Sequence, residues 1–185
     1  YRAGNGSAPC SLCSRGNHSH ESAQSAESTC RDCPAHAFSS AGSIMQANCT
    51  CNGGYTGPDG AECEACEAGG FKDVNGSSAC MLCSRGKYST ATAAISEAVC
   101  KGCPSYTYSP DGSGQLTNCT CNKGYTGPDG IACAACIAGT YKDVNGSSQC
   151  SACPPGSHSQ AGSDAPSAWI CHAGSTSHGA GGCGT

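Results

Sequence analysis

Cysteine content is the feature that most constrains the fold of this chain. Twenty of its 185 residues are Cys, a density typical of disulfide scaffolds. The aliphatic side chains that normally build a core are few, since Ile, Leu and Val together number eleven. The 27 Gly residues add to the backbone entropy that folding must overcome. We therefore expect a small disulfide-rich fold, in which crosslinks stabilise short β-hairpins and irregular loops in place of a large apolar core.

The cysteines also predict where the protein resides. Disulfides persist in oxidising compartments, which indicates an extracellular protein, secreted or at the cell surface. N-glycosylation sequons support this location. Six asparagines open N-x-S/T triplets, and we expect them on exposed turns that carry N-linked glycans: Asn5, Asn17, Asn48, Asn75, Asn118 and Asn145. The sequence has no signal peptide and no apolar run long enough to cross a bilayer, so we expect no membrane insertion by this segment.

Charge and motif content exclude several function classes. The formal net charge is -4, and the charges are scattered, which argues against a nucleic-acid partner because no basic stripe is present. Ser, His and Asp residues occur, but no motif holds them as a nucleophile with its base. We expect no enzymatic activity and no cofactor.

The sequence repeats at a fixed interval, which is the signature of an array. The sixteen residues that begin at Cys51 recur from Cys121 with twelve identities, and the decapeptide from Phe71 to Cys80 recurs from Tyr141 to Cys150. The interval predicts repeat 1 at 1–70, repeat 2 at 71–140, and a partial repeat 3 at 141–185 with a Gly/Ser/His-rich tail. Within the repeats, Asn75-Gly76 and Asn145-Gly146 predict tight type I′ hairpin turns.

One spacing in repeat 1 also fits a metal site. A four-cysteine zinc site uses two C-x-x-C pairs at about this separation, and the matching residues are Cys10, Cys13, Cys30 and Cys33. The sequons and the additional cysteines in the same repeat favour disulfides instead. We expect no metal.

Two groups of motifs carry a resemblance to known families. The segment from Cys49 to Cys63 and its copy from Cys119 to Cys133 resemble the C-terminal half of an EGF-like module, with C-x-C, G-Y-x-G and a closing Cys. Three C-x-x-C-P segments resemble ephrin-receptor-like and tumour-necrosis-factor-receptor-like cysteine-rich repeats, and they end at Pro34, Pro104 and Pro154. The resemblance covers nearly all of residues 1–155. It implies an extracellular array, a class that includes mastigoneme-type surface fibre components.

The EGF-like resemblance implies that the last two cysteines of each module pair, as Cys51 with Cys63 and Cys121 with Cys133. If Cys33 pairs with Cys49, a ladder of local bonds follows. Its other members are Cys13 with Cys30, Cys66 with Cys80, Cys83 with Cys100, Cys103 with Cys119, Cys136 with Cys150, and Cys153 with Cys171. An interlocked pairing within each C-x-x-C set fits the same spacings.

The ladder leaves Cys10 and Cys183 without partners. We interpret them as the ends of a segment from a longer array, the alternative being intermolecular bonds between chains. Because every predicted crosslink is local, we expect an elongated tandem-repeat rod.

The sequence supports two functions. The first is a structural one, a glycosylated rod that self-associates or continues into neighbouring repeats as part of a fibre, surface appendage or matrix. The alternative is a receptor or adhesion ectodomain that binds a protein ligand. The near identity of the repeats favours the first function, since a ligand site normally requires one repeat to differ from the next.

Overall fold

The computed structural model describes residues 11–20, 29–166, 170–171, 173, 176–177 and 183–184. The chain forms two compact units. The first comprises Tyr1–Leu82 with Ala91–Val99, and the second comprises Cys83–Thr90 with Cys100–Thr185. The boundaries of the sequence repeats stay a prediction.

The secondary structure of the described residues consists of two-residue strands and short 3₁₀-helices. The strands are β1 (Asn17–His18), β2 (Arg31–Asp32), β3 (Ala37–Phe38), β4 (Thr50–Cys51), β5 (Tyr55–Thr56), β6 (Glu64–Ala65), β7 (Gly70–Phe71), β8 (Met81–Leu82), β9 (Lys87–Tyr88), β10 (Lys101–Gly102), β11 (Thr107–Tyr108), β12 (Thr120–Cys121), β13 (Tyr125–Thr126), β14 (Ala134–Ala135), β15 (Thr140–Tyr141), β16 (Ser151–Ala152), β17 (Ser157–His158), β18 (Ile170–Cys171), β19 (Thr176–Ser177) and β20 (Cys183–Gly184). The 3₁₀-helices are Gln46–Asn48, Glu97–Val99 and Leu116–Asn118. Each odd-numbered strand pairs antiparallel with the strand that follows it. The predicted class of short β-hairpins and irregular loops in a small disulfide-rich fold is confirmed.

The Cys-Pro motifs form the turns that lead into several hairpins. The N–H of Ala37 donates to the carbonyl oxygen of Pro34 at 3.1 Å, and Thr107 and Pro104 form the equivalent bond at 3.2 Å. The third residue of each turn has positive φ, which is 59° at His36 and 62° at Tyr106. Such angles strain a residue that has a Cβ.

The core of the molecule consists of disulfides rather than aliphatic side chains. All but two of the buried hydrophobic residues in the described part of the chain are cysteines, and the exceptions are Phe71 and Ala94. Buried serines satisfy nearby backbone carbonyls, as Ser109 Oγ does by donating to Lys87 at 2.8 Å. The structure therefore buries sulfur and hydrogen-bonded backbone where a larger domain would bury Leu and Val.

Eight disulfides link sixteen cysteines of the described ranges, each over a separation of 12 to 17 residues. They are Cys13–Cys30, Cys33–Cys49, Cys51–Cys63, Cys66–Cys80, Cys83–Cys100, Cys103–Cys119, Cys121–Cys133 and Cys136–Cys150. The structure thus contains the ladder and not the interlocked pairing. The unpaired state predicted for Cys10 and Cys183 lies outside the described side chains.

The ladder and the strand register obey one rule. In each disulfide, the residue four positions after the first cysteine pairs with the residue two positions after the second. Ala37 therefore pairs with Cys51 in the hairpin of Cys33–Cys49, and Lys87 pairs with Gly102 in the hairpin of Cys83–Cys100.

The ninth predicted bond, Cys153 with Cys171, is wrong. Cys153 is a free thiol, and Cys171 belongs to a different disulfide. Ser157 pairs with Cys171 in the β17–β18 hairpin, so the rule puts the closing position of Cys153 at residue 169. That residue is Trp169. Repeat 3 therefore keeps the hairpin but lacks the cysteine that would close it.

The prediction of tight turns at the Asn-Gly pairs is also wrong. Around Asn75-Gly76, the flanking strands end at Phe71 and resume at Met81, so the whole of 72–80 forms a loop between them. Gly76 has a φ of 132°, whereas Asn75 is not among the residues with positive φ. A type I′ turn needs positive φ at both positions. Contacts with the neighbouring hairpin hold the 72–80 loop instead.

Candidate binding surface

An open groove lies in the second compact unit, beside the β13–β14 hairpin. Its volume is about 450 Å³, and its lining includes Ala134, Ala135, Ile137, Thr140 and the Cys136–Cys150 disulfide. None of the lining residues is charged. Volumes of this order are typical of binding sites, which are concave and mostly apolar. We call this surface the apolar groove.

The apolar groove differs from the equivalent surface of repeat 1. When the two repeats are aligned, Ala134 and Ile137 stand where repeat 1 has Glu64 and Glu67. The Ile137 side chain is 74% exposed. Repeat 2 has thus replaced two carboxylates by apolar groups on a face that contacts solvent, and exposed apolar groups that form one patch are typical of interaction sites.

A second isoleucine in the same segment is also exposed. Ile131 replaces Ala61 and is 58% exposed. It lies outside the groove lining. Between the two repeats, the segment 131–137 is therefore converted from an acidic surface to an apolar one, although most flanking residues are identical.

A buried lysine holds the backbone next to the groove. Lys142 Nζ donates to the carbonyl oxygen of Tyr125 at 2.7 Å and also to that of Gly146. Burial lowers the pKa of Lys142 from its ordinary value of 10.5, and the charge of Asp129 partly opposes the shift. Asp129 Oδ1 is itself buried, with no hydrogen-bond partner within the described part of the chain.

Repeat 1 and the residues that follow it contain the same lysine contact. Lys72 Nζ donates to Tyr55 at 2.7 Å and to Gly76, and burial likewise lowers its pKa. The lysine therefore holds the backbone in the same way at 72 and at 142. The side chains at the groove positions differ. Sequence reasoning missed these lysines, because a Lys in a polar segment is ordinarily exposed.

Stacked aromatic rings form a second feature that sequence reasoning missed. His36 stacks on Tyr55 with ring centroids 4.0 Å apart, and Tyr106 stacks on Tyr125 at 4.3 Å. His36 and Tyr106 are the residues with positive φ that precede β3 and β11. Stacking of this kind contributes about 0.5–1.5 kcal/mol, which offsets the backbone strain. The sequence signal for these stacks is that an aromatic ring recurs, one repeat apart, at 36 and 106 and at 55 and 125.

The predicted glycosylation sites lie mostly at the surface. Asn48, Asn75, Asn118 and Asn145 are exposed, Asn17 is half-buried, and Asn5 lies outside the described residues. The four exposed asparagines use Oδ1 to accept backbone N–H bonds. This leaves Nδ2, the atom to which a glycan attaches, outside those bonds. Whether glycans attach stays a prediction.

The cysteines considered for zinc are occupied by disulfides. Cys13 bonds to Cys30 and Cys33 bonds to Cys49, while Cys10 lies outside the described residues. Within the described ranges, His18 with Cys33 and Cys49 is the one group of three metal-ligating residues. Its two sulfurs bond to each other, so they are not thiolate ligands.

These observations define a class of protein, a disulfide-rich tandem repeat with little aliphatic core, which is typical of extracellular domains. The family described as "Tyrosine-protein kinase ephrin type A/B receptor-like" matches residues 53–100 and 124–168. These segments make up just over half of the chain, and the chain belongs to this family of cysteine-rich repeats. It is a family of receptor repeats and not of enzymes.

A vertebrate receptor shows the same similarity. Over 46 residues, the chain is 49% identical to "Ephrin type-B receptor 1" of Gallus gallus, a stretch that covers 25% of the chain and 5% of the receptor. The ephrin-receptor-like part of the predicted resemblance is confirmed. The EGF-like, tumour-necrosis-factor-receptor-like and mastigoneme-type parts stay predictions. None of the helices in the described ranges is long and apolar enough to span a membrane.

Proposed function

We propose that this chain is part of a receptor or adhesion ectodomain, and that it binds a protein ligand through the apolar groove. The observation that carries the proposal is the replacement of Glu64 and Glu67 by Ala134 and Ile137 between two repeats of nearly the same sequence. A repeat that serves only as a spacer has no need for exposed apolar groups in place of carboxylates. A repeat that binds a ligand does.

A protein is the ligand that fits the groove best. The groove is open, and Ile137 projects from it with three-quarters of its side chain exposed, so a small molecule would leave much of this apolar surface in water. The side chains of a facing protein would cover it. Interfaces of this type have an apolar centre depleted of charge, as this groove is.

The contacts that hold the backbone at the apolar groove favour a preorganised binding surface. Lys142 holds the carbonyl of Tyr125, which precedes the lining residue Thr126, and the Cys136–Cys150 disulfide is itself part of the lining. A preorganised surface loses little conformational entropy on binding. This favours a ligand-binding role over a flexible linker.

The structural-fibre function expected from the near identity of the repeats is the competing proposal. It requires the chain to associate with itself. Light scattering coupled to size-exclusion chromatography distinguishes the two, because the ectodomain function predicts a monomer at micromolar concentration. Concentration-dependent polymers would contradict the ectodomain proposal and support the fibre.

The groove itself is tested with substitutions taken from repeat 1. The A134E/I137E double variant introduces the residues that the fold already accepts at 64 and 67, and I131A is the matched control outside the groove lining. Binding is measured by interferometry against a panel of purified extracellular domains. We expect the double variant to weaken binding at least tenfold and I131A to change it less than twofold. A ligand that binds both variants as it binds the natural chain would contradict the groove assignment.

A further inference from the structure

A buried histidine contacts one disulfide of the first compact unit. His18, in β1, is 5% exposed, and its Nδ1 lies 3.6 Å from Cys49 Sγ. Cys49 is fully buried and bonds to Cys33, which is half-buried. The imidazole therefore contacts the sulfur of the fully buried cysteine, in a bond whose other cysteine is only half-buried.

Repeat 2 provides a matched comparison. The Cys103–Cys119 bond closes the same separation of 16 residues as Cys33–Cys49. It also joins a half-buried cysteine to a fully buried one. The residue at the position of His18 is Tyr88. The two bonds therefore share their loop length and burial class, and they differ in the residue at the position of His18.

We propose that the Cys33–Cys49 bond is a thiol-exchange site for an external dithiol, and that His18 is the residue that makes it more reactive than the other bonds of the ladder. The incoming thiolate attacks Cys33 Sγ, the sulfur of the less buried cysteine. A new bond forms between the dithiol and Cys33, the old bond breaks, and its electron pair leaves on Cys49 Sγ.

His18 acts on that leaving group. With its proton on Nδ1, the imidazole donates a hydrogen bond to the Cys49 thiolate as the negative charge develops. Thiol–disulfide exchange is faster when the leaving thiolate is stabilised. A buried thiolate without such a donor would be costly, and Tyr88 offers no imidazole to Cys119.

A second step completes the exchange. The other thiol of the dithiol, as its thiolate, attacks its own sulfur in the mixed disulfide, and the electron pair leaves on Cys33. The dithiol is oxidised to a disulfide, and the Cys33–Cys49 bond is reduced by the same two electrons. The product is an opened 33–49 loop, which carries the β3 strand.

Opening of this loop has a local structural consequence. The backbone of Ser19 donates to Ser43 at 3.0 Å, and that of Gly60 donates to Cys49 at 2.7 Å. Both contacts join the 33–49 loop to neighbouring hairpins. Reduction would loosen these contacts of the first compact unit, whereas the residues that line the apolar groove belong to the second.

The test is partial reduction of the full chain by dithiothreitol at neutral pH, with timed quenching by iodoacetamide and peptide mass spectrometry. We expect alkylation of Cys33 and Cys49 to proceed at least fivefold faster than that of Cys103 and Cys119. Both alkylation rates are measured in the same sample, so the concentration of dithiothreitol and the reaction time are the same for the two bonds.

Two exchanged variants separate the role of His18 from general folding effects. H18Y should slow reduction of Cys33–Cys49 to the rate of the repeat 2 bond, and Y88H should accelerate reduction of Cys103–Cys119 with no change at Cys33–Cys49. Y88H is informative even if H18Y fails to fold, because it predicts a gain. Equal rates for the two bonds in the natural chain, or no acceleration by Y88H, would overturn the proposal.

Discussion

Lys142 donates from its ammonium group to the carbonyl oxygen of Tyr125, 17 residues before it, at a distance of 2.7 Å. The same group also donates to Gly146. The contact joins the long β15–β16 loop to the hairpin that starts at Tyr125. The chain has almost no aliphatic core. The buried ammonium group, which donates to two backbone carbonyls, therefore fixes this loop in place of apolar packing.

Substitution of this lysine by an apolar residue of similar length should loosen the loop. In K142M, the carbonyls of Tyr125 and Gly146 lose a donor, and a buried carbonyl without a partner costs about 1–3 kcal/mol. Hydrogen exchange should accelerate at the N–H of Gly124, which donates to the backbone carbonyl of Lys142 at 2.8 Å. The N–H of Gly54, which donates to Lys72 at the same distance, is the internal control. Unchanged protection at Gly124 would contradict the role of Lys142.

The lysines also predict how stability depends on pH. Burial lowers the pKa of Lys72 and of Lys142 below the ordinary value of 10.5. The unfolded chain then binds more protons than the folded chain as the pH rises toward 10.5, so the free energy of unfolding should increase over that range and level off above it. Denaturant midpoints measured from neutral pH to 10.5 check this. The K72M/K142M double variant should lack the increase, and a natural chain without it would contradict the prediction.

Asn145 should carry a glycan while its side chain holds the backbone. Its Oδ1 accepts the N–H of Lys123 at 3.0 Å, and the glycan would attach to Nδ2. N145D keeps the acceptor and removes the sequon, whereas N145A removes both. Glycopeptide mass spectrometry of chain secreted from eukaryotic cells should show loss of the glycan in both variants. Hydrogen exchange at Lys123 should accelerate in N145A alone, and an unmodified Asn145 in the natural chain would contradict the glycan assignment.

Local features of this fold follow from the sequence because the contacts that make them are local. The EGF-like resemblance implied the Cys51–Cys63 bond, which closes 12 residues, whereas the cysteine spacings alone also fitted the interlocked pairing. The contacts that sequence reasoning missed depend on neighbouring hairpins. Asn75 Oδ1 accepts the N–H of Gly53, 22 residues away, at 2.9 Å, and this contact favours a wide loop over the tight Asn-Gly turn.

The apolar groove illustrates a different limit. The substitutions at Ala134 and Ile137 are visible in an alignment of the two repeats, but a surface forms only when the hairpin and the Cys136–Cys150 loop come together. The near identity of the repeats favoured a structural function for the chain. The proposed ligand site depends instead on the few positions at which they differ.

The elongated rod stays a prediction that scattering can test. A compact domain of this length has a radius of gyration of about 16 Å. The eight disulfides each close 17 residues or fewer, and no large apolar core is available among the described residues to fold distant repeats onto one another. We expect small-angle X-ray scattering to give a radius of gyration well above that of the compact domain. A radius equal to the compact value would contradict the rod.

The register rule predicts how to close the missing ninth bond. Ser157 pairs with Cys171, so the register that Ala37 and Cys51 show in the hairpin of Cys33–Cys49 assigns the closing cysteine to position 169. W169C should therefore form a disulfide with Cys153 over 16 residues, the separation of Cys33–Cys49. A loop of this length contributes about 3 kcal/mol in the chain-entropy account.

Alignment of the repeats by their interval predicts a different closing position, and a cysteine there is the control for W169C. Ile170 is the counterpart of Cys100 when repeat 3 is aligned with repeat 2, so alignment by interval alone would assign the closing cysteine to Ile170. The register rule assigns the closing position to 169 and not to 170, so the two cysteine variants are expected to behave differently. Iodoacetamide without reductant should label Cys153 in the natural chain and in I170C, and leave it unlabelled in W169C. Protection of Cys153 by I170C, or continued labelling in W169C, would show that the register rule does not extend to repeat 3.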